Sequence, residues 1–290
     1  MYSQKRGPCV SPAFLKYRSK IGRLGNLIWL FLLASASAYA LPEFVSIQEL
    51  AQGQALTGAN LLNDSLYVNP AAGVFTNIYA IEGSYLLSSV IEASIVDTKT
   101  SNIMGGVGYF HIQNSPSSSL ATQGAKIELA TKLGQNIALG IDGKYIWGLN
   151  SHAQNDSLRD IDIGAFGNFS IFSLGLVLRN LIEGNSALLG QQKEWSFGAQ
   201  LHYQNILFLG VSTFSTLQTF SPYQYGIGAE FVTPYYFSLK GGFRIQPQQS
   251  QTYWSGGLSF LSPRFTLTYA FQSQVQTSNW ENMLSLLLLL

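Results

Sequence analysis

From about residue 78 to residue 290 apolar and polar side chains alternate one by one. A period of two fits a β-strand with one apolar and one polar face. Tyr236 to Gln246 is the clearest stretch. Phe237, Leu239, Phe243 and Ile245 fall on one side, and Ser238, Lys240, Arg244 and Gln246 on the other. Trp195 to Gln204, Tyr223 to Phe231 and Arg264 to Gln272 repeat the pattern. About fourteen such segments can be read. They lie near 78–88, 91–98, 103–113, 124–133, 136–148, 159–168, 170–181, 194–204, 206–216, 222–233, 235–246, 251–261, 264–273 and 281–290. Tight links such as Gln204-Asn205, Thr233-Pro234 and Ser262-Pro263-Arg264 alternate with longer polar stretches, among them Asn114 to Leu120, Asn150 to Leu158 and Glu183 to Lys193. Short turns at one end and long loops at the other is the layout of a transmembrane antiparallel β-barrel, an all-β fold.

Composition says what surrounds such a barrel. Only 11% of the residues are charged, while 47% are hydrophobic and 13% aromatic. A soluble β-sandwich would also alternate, but it would show water a charged face. Here the polar face is mostly Gly, Ser, Thr and Gln, which suits a narrow lumen inside a lipid-facing wall. Tyr109, Phe110, Tyr145, Trp147, Tyr203, Phe220, Tyr223, Tyr235, Tyr236, Tyr253 and Trp254 sit near strand ends. Amphipathic rings there predict girdles at the two headgroup levels.

The first forty residues read differently. Lys5, Arg6, Lys16, Arg18, Lys20 and Arg23 precede an apolar run from Leu27 to Ala34, and Ala38-Tyr39-Ala40 supplies a small-x-small site. This is the pattern of a secretory signal peptide over 1–40, cleaved after Ala40; an uncleaved anchor is the alternative. Its removal takes six of 16 Lys+Arg, leaving 10 against 15 Asp+Glu and a net charge of −5. No basic nucleic-acid footprint then remains. The sole cysteine, Cys9, leaves with it, so no disulfide framework is expected.

Between signal and strands, residues 41–75 do not alternate. Part of Gln48 to Leu62 has helix-compatible spacing, and the chain then runs through Asn69-Pro70-Ala71. A non-strand leader ahead of a barrel, which would occupy 76–290, is expected inside it as a plug or hatch, with a loose periplasmic tail as the alternative. Pro70 sets its own φ and restrains Asn69, so Asn69, Pro70 and Ala71 are candidates for the turn that fixes this segment.

Gly58-Ala59-Asn60 followed by Asn63-Asp64-Ser65-Leu66-Tyr67-Val68-Asn69-Pro70-Ala71 resembles the leader of FadL-type outer-membrane transporters and their PorV/PorQ-like relatives. Asp160-Ile161-Asp162-Ile163-Gly164, Gly175, Arg179-Asn180-Leu181, Leu239 to Arg244 and Tyr269-Ala270-Phe271 are similar as well. The resemblance covers roughly 51–290 and implies a fourteen-stranded barrel with an N-terminal hatch in the bacterial outer membrane. It further implies passive transport of hydrophobic or amphipathic small molecules, or a non-transporting role such as a PorV-like component of a protein secretion system. Outer-membrane lipids, the barrel-assembly machinery, a hydrophobic small-molecule ligand and secretion-system proteins are the partners it suggests. Two departures stand out. The chain ends in Leu286 to Leu290 rather than on an aromatic residue, and alternation is expected to lapse there. The chain is also short, which leaves its loops little room for a capture groove.

The polar face carries both signs of charge. Lys126, Glu128, Asp142, Lys144, Asp162, Arg179, Glu230, Lys240 and Arg244, with His202 and Asp160, are candidate lumen-lining residues. Pairing across the lumen or with the plug and lining a conduction path are both open readings. His111, His152 and His202 share no metal-ligand spacing, so neither metal nor cofactor is expected. A serine nucleophile would need a converging histidine and a third group. Ser196 near His202 is the nearest approach, and without a third member an enzyme is not expected.

Overall fold

The structure, a computed structural model, describes residues 44–86, 90–112, 121–149, 155–182, 192–218, 221–277 and 280–290. The segment read as a signal peptide, the boundary at Ala40, His152 and Phe220 lie outside the described residues. Fourteen strands follow one another: β1 (Tyr79–Leu86), β2 (Val90–Asp97), β3 (Ile103–Ile112), β4 (Ala121–Lys132), β5 (Ile137–Leu149), β6 (Asn155–Asn168) and β7 (Phe172–Arg179). The second half adds β8 (Glu194–Tyr203), β9 (Leu207–Thr216), β10 (Pro222–Val232), β11 (Phe237–Gln246), β12 (Gln251–Leu261), β13 (Phe265–Gln274) and β14 (Trp280–Leu289). Each pairs antiparallel with its sequence neighbours, and β1 pairs with β14 to close a barrel. Closure removes the unpaired edge that lipid could not satisfy. Among the described residues no helix is long and apolar enough to cross a membrane.

Outward side chains are apolar and exposed: Val107, Ile127, Leu129, Ile141, Leu176, Val211, Ile227, Leu239 and Leu267 are examples from eight of the strands. No soluble monomer presents so continuous an apolar surface to water, and hydrocarbon is the medium that fits it. β1 begins and β14 finishes at the same end, here called the terminus end. Hairpins there are tight. Gln204 and Asn205 both have positive φ, 52° and 55°, a pair of left-handed residues that matches the twist of β8 and β9. At the opposite, loop end, β3 and β4 are separated by eight residues in sequence and β7 and β8 by fourteen.

Three expectations need correction. Residues 155–158 continue β6 rather than belonging to a loop, because Asn155 through Leu158 pair with Leu149 through Ile146. Not every strand-end aromatic belongs to a girdle. Tyr109, Tyr145 and Trp147 cluster on the wall, but Phe110 points into the lumen and stacks on Phe44 at 5.5 Å. Tyr253 also turns inward, beneath the Arg244 guanidinium. Finally, β14 keeps its pleat to the end. Leu286 and Leu288 are exposed and Leu287 and Leu289 half-buried, because both flanking ladders run through Leu288 and hold the register. The leucines that break the sequence pattern enter an interior already lined, at the terminus end, by Ala80, Val96, Met104 and Phe166.

Because Ile127 sits mid-strand on the lipid face, Ile127→Arg should destabilise the barrel by about 2–4 kcal/mol. Urea unfolding in lipid vesicles measures this, and an unchanged midpoint would contradict a lipid-facing β4.

Candidate functional site

The lumen holds the leader. A short helix α1 (Ile47–Ala51) starts at Ser46, whose hydroxyl accepts from the Glu49 amide at 3.4 Å. A second, α2 (Ser65–Val68), is fully buried. Between and after them the backbone is pressed against the inner wall at one glycine after another. A Cβ on Gly242 (β11), Gly228 (β10) or Gly210 (β9) would lie 2.3–2.5 Å from backbone atoms of Gln52 or Ala55. On Gly198 (β8) it would lie 2.6 Å from the Gly58 nitrogen, and on Gly175 (β7) 1.8 Å from the Thr57 carbonyl oxygen. On Gly164 (β6) and Gly140 (β5) it would lie 2.3 Å from Asn69 Oδ1 and the Pro70 carbonyl. Only glycine permits so close an approach of two backbones. Gly242, Gly228 and Gly210 stand directly opposite one another across their ladders, as do Gly198 and Gly175, and Gly164 and Gly140. The result is a stepped groove around half of the wall, from β5 to β11.

Polar contacts pin the same path. The Thr57 amide donates to Ser212 at 3.1 Å, and the Ser173 hydroxyl donates to the Gly58 carbonyl at 2.5 Å. Asn69 ties the leader to itself and to the wall. Its Nδ2 donates to the carbonyls of Thr57 at 3.1 Å and Ala165 at 3.2 Å, while Oδ1 accepts from the Ala71 amide at 3.1 Å. The turn at Asn69-Pro70-Ala71 is thus held by the asparagine side chain as well as by the proline ring. Arg179 donates to the Val68 carbonyl at 2.6 Å and pairs with Glu194 at 3.2 Å. Ser65 donates to Glu128 at 3.0 Å.

The expected lining residues fall into five places, Arg179 with Glu194 being one. Lys126, Glu128, Asp142, Lys144 and Asp162 come together with Asp160 on β4, β5 and β6. In register, Glu128 faces Asp142 and Asp142 faces Asp162, while Lys126 faces Lys144. Like charges directly opposite are unfavourable, and the diagonals relieve them. Lys126 reaches Asp142 and Asp162 at 3.5 Å, and Lys144 reaches Asp162 at 3.0 Å. Asp162 also accepts from the Asn180 amide at 2.9 Å, and Asp160 from that of Ile182 at 2.8 Å, which anchors the chain leaving β7. Lys240 pairs separately with Glu230 at 3.2 Å and donates to Ser259 at 2.5 Å. Arg244 lies 4.0 Å over the Tyr253 ring. His202, at the terminus end, meets Ser173 at 3.1 Å and Gln200 at 3.2 Å, not Ser196. Ser196 is buried with its hydroxyl unpartnered, so the considered nucleophile pair does not form.

Sequence reasoning did not single out Glu82, Glu92, Asp64, Tyr67 or Glu194. Glu82 and Glu92 were within reach, being the charged residues on the polar face of the first two alternating segments. The belt glycines were also within reach, as a recurrence on one face of successive strands.

No protein-family model matches the chain, and no curated protein matches it. Among solved structures, the Ralstonia pickettii toluene transporter TbuX superposes with a TM-score of 0.59 at 12% identity, over 84% of this chain and 97% of that one. A Pseudomonas aeruginosa FadL homologue gives 0.58 at 11% identity, over 87% and 99%. The Pseudomonas putida toluene transporter TodX gives 0.57 at 11% identity, over 88% and 99%. The chain therefore has the fold of FadL-type barrels.

Gly175→Ala should push the leader off β7 and lower stability by about 1–3 kcal/mol. Gly143→Ala, on a residue with open space around its Cβ position, should leave the urea midpoint unchanged. Equal midpoints for the two variants would contradict the seating described. Lys144→Met removes a counter-charge from a buried carboxylate cluster and should cost about 3–5 kcal/mol in the same assay, far above an exposed Lys99→Met.

Proposed function

We propose that the protein is an outer-membrane channel for passive passage of hydrophobic or amphipathic small molecules, with the leader as its hatch. The observation that carries this reading is the division of the lumen wall at the loop end. Leu86, Val90, Phe110, Ile112, Ile146 and Leu158 on β1 to β6 face inward as an apolar half. Gln224, Arg244, Gln246, Tyr253 and Gln272 on β10 to β13 make the facing half polar. An entry with one oily and one hydrogen-bonding side matches a solute that has both, and neither half alone is a water-filled porin lining. Beneath it the leader crosses the bore. The likeness to structures described as toluene transporters and a FadL homologue supports the same class of solute.

Lys126, Glu128, Asp142, Lys144, Asp162, Arg179, Glu230 and Lys240 then act chiefly by holding wall and hatch in register. Arg244, with Tyr253 at the polar half of the entry, is the charged residue placed to meet a solute. Asn69, Pro70 and Ala71 fix the hatch turn. A cleaved signal peptide at 1–40 delivers the chain to the outer membrane, where it resides.

Deletion of residues 41–70 should open the bore and raise single-channel conductance in planar bilayers at least several-fold. Liposome swelling with a small aromatic solute should accelerate in parallel. Unchanged conductance, or purification of the intact barrel with exported protein cargo and no solute flux, would overturn the reading.

A further inference from the structure

Where the glycine belt ends, the leader meets β1 and β2 through acid groups instead. Asp64 of the leader, Glu82 of β1 and Glu92 of β2 line one buried cavity with Phe44, Ser46, Ile47, Asn63, Tyr67 and Ser84. All three carboxyls are buried. Glu82 accepts from Ser285, Glu92 accepts from Tyr67 at 3.3 Å, and Asp64 is bonded to Ser46 and the Gln48 amide. Other charged groups surround the site. Glu49 stands on α1 and Glu128 on β4; Lys126 lies 5.7 Å over the Tyr67 ring; Lys240 faces from β11. Lys126 is engaged by Asp142 and Asp162, and Lys240, which also attracts Asp64, is engaged by Glu230.

Three carboxylates buried together are strongly unfavourable if all are ionised, and for Asp64 the cost of burial outweighs the attraction of Lys240. The void between them is too narrow to admit a water molecule. Among the described residues no three acidic side chains stand at metal-ligand spacing. Protons shared among the carboxyls relieve this repulsion without needing further volume. A second observation points the same way. Asn63 is fully buried, its Nδ2 donates to Ser94 at 3.0 Å, and its Oδ1 has no partner. Such an orphaned acceptor is satisfied by a donor, and a protonated neighbouring carboxyl is the donor this cavity can supply.

We propose that Asp64, Glu82 and Glu92 form a proton-held latch between leader and wall, closed when they share protons and released as they ionise. This rests on the reading of the leader as a hatch. Burial already holds the Asp64 carboxyl above the usual carboxylate range. The sign follows from that direction. The seated leader binds more protons than the released one, in which the Asp64 carboxyl leaves its buried setting. Seating is therefore strongest at low pH, and its equilibrium constant falls by up to about tenfold per pH unit for each proton given up.

The test uses the mature chain in planar bilayers at about pH 5.5 and about pH 8.5, a span over which loss of a single proton shifts the equilibrium by at least about tenfold. Opening probability should rise by at least about tenfold at the higher pH in the wild type. Glu82→Gln/Glu92→Gln keeps hydrogen-bonding groups that cannot ionise, and should stay closed at both values. Asp64→Asn, tested alone, should flatten most of the response, and heat-modifiable gel migration identifies the variants that form a barrel. A wild type that does not respond to pH, or a response that survives in both variants, overturns the latch. If deletion of 41–70 leaves conductance unchanged at either pH, the hatch reading falls instead.

Discussion

Everything inside this barrel depends on how near one backbone can come to another. Seven wall positions on adjacent strands lack a Cβ where the leader passes, and at each a methyl group would overlap leader backbone or the Asn69 side chain. Glycine weakens a strand in isolation, since it packs nothing and loses more entropy on ordering. Here that loss is offset by burial of the leader's apolar residues, among them Ile47, Leu50, Leu56, Leu66 and Val68, against the wall. The groove also selects one path, because a chain displaced by one residue would bring side chains rather than backbone to the glycines. The lumen is therefore a moulded interior rather than an open bore with a loose segment in it.

The charged residues follow from the same enclosure. In a low-dielectric interior an unpaired ion is costly, and a pair held in good geometry roughly breaks even. The lysines of β4 and β5 meet the acids of β5 and β6 diagonally, and Arg179 meets both a carboxylate and a leader carbonyl. These groups add little net stability. What they add is register, because a one-residue slip of β5 against β6 would turn Asp142 and Lys144 into hydrocarbon. The three acids near Asn63 are held instead by hydroxyl and amide hydrogen bonds.

Much of this was legible in the sequence, and the limits are physical. Strand positions were readable because one wall face meets lipid and the other does not, so the period of two is enforced at nearly every step. The start of β6 was not, because Asn155, Asp156 and Ser157 are polar on both sides of the pleat and look like loop until their pairing with β5 is seen. The end of β14 was misjudged for the converse reason: a run of leucines has no polar face to mark, although its pleat continues. That lumen charges would be paired was an open reading, but which partners they take depends on register across three strands. Phe110 and Tyr253 looked like girdle residues because ring type alone does not say which face of the wall they occupy.

The ladder between β1 and β14 carries a further implication about order in time. Those two strands lie at opposite ends of the chain, so the seam joining them can zip only after every other strand has been made. The leader precedes them all, yet finishes enclosed by all of them. Its seat draws on the first and the last strands alike, so that seat is complete only once the seam has formed.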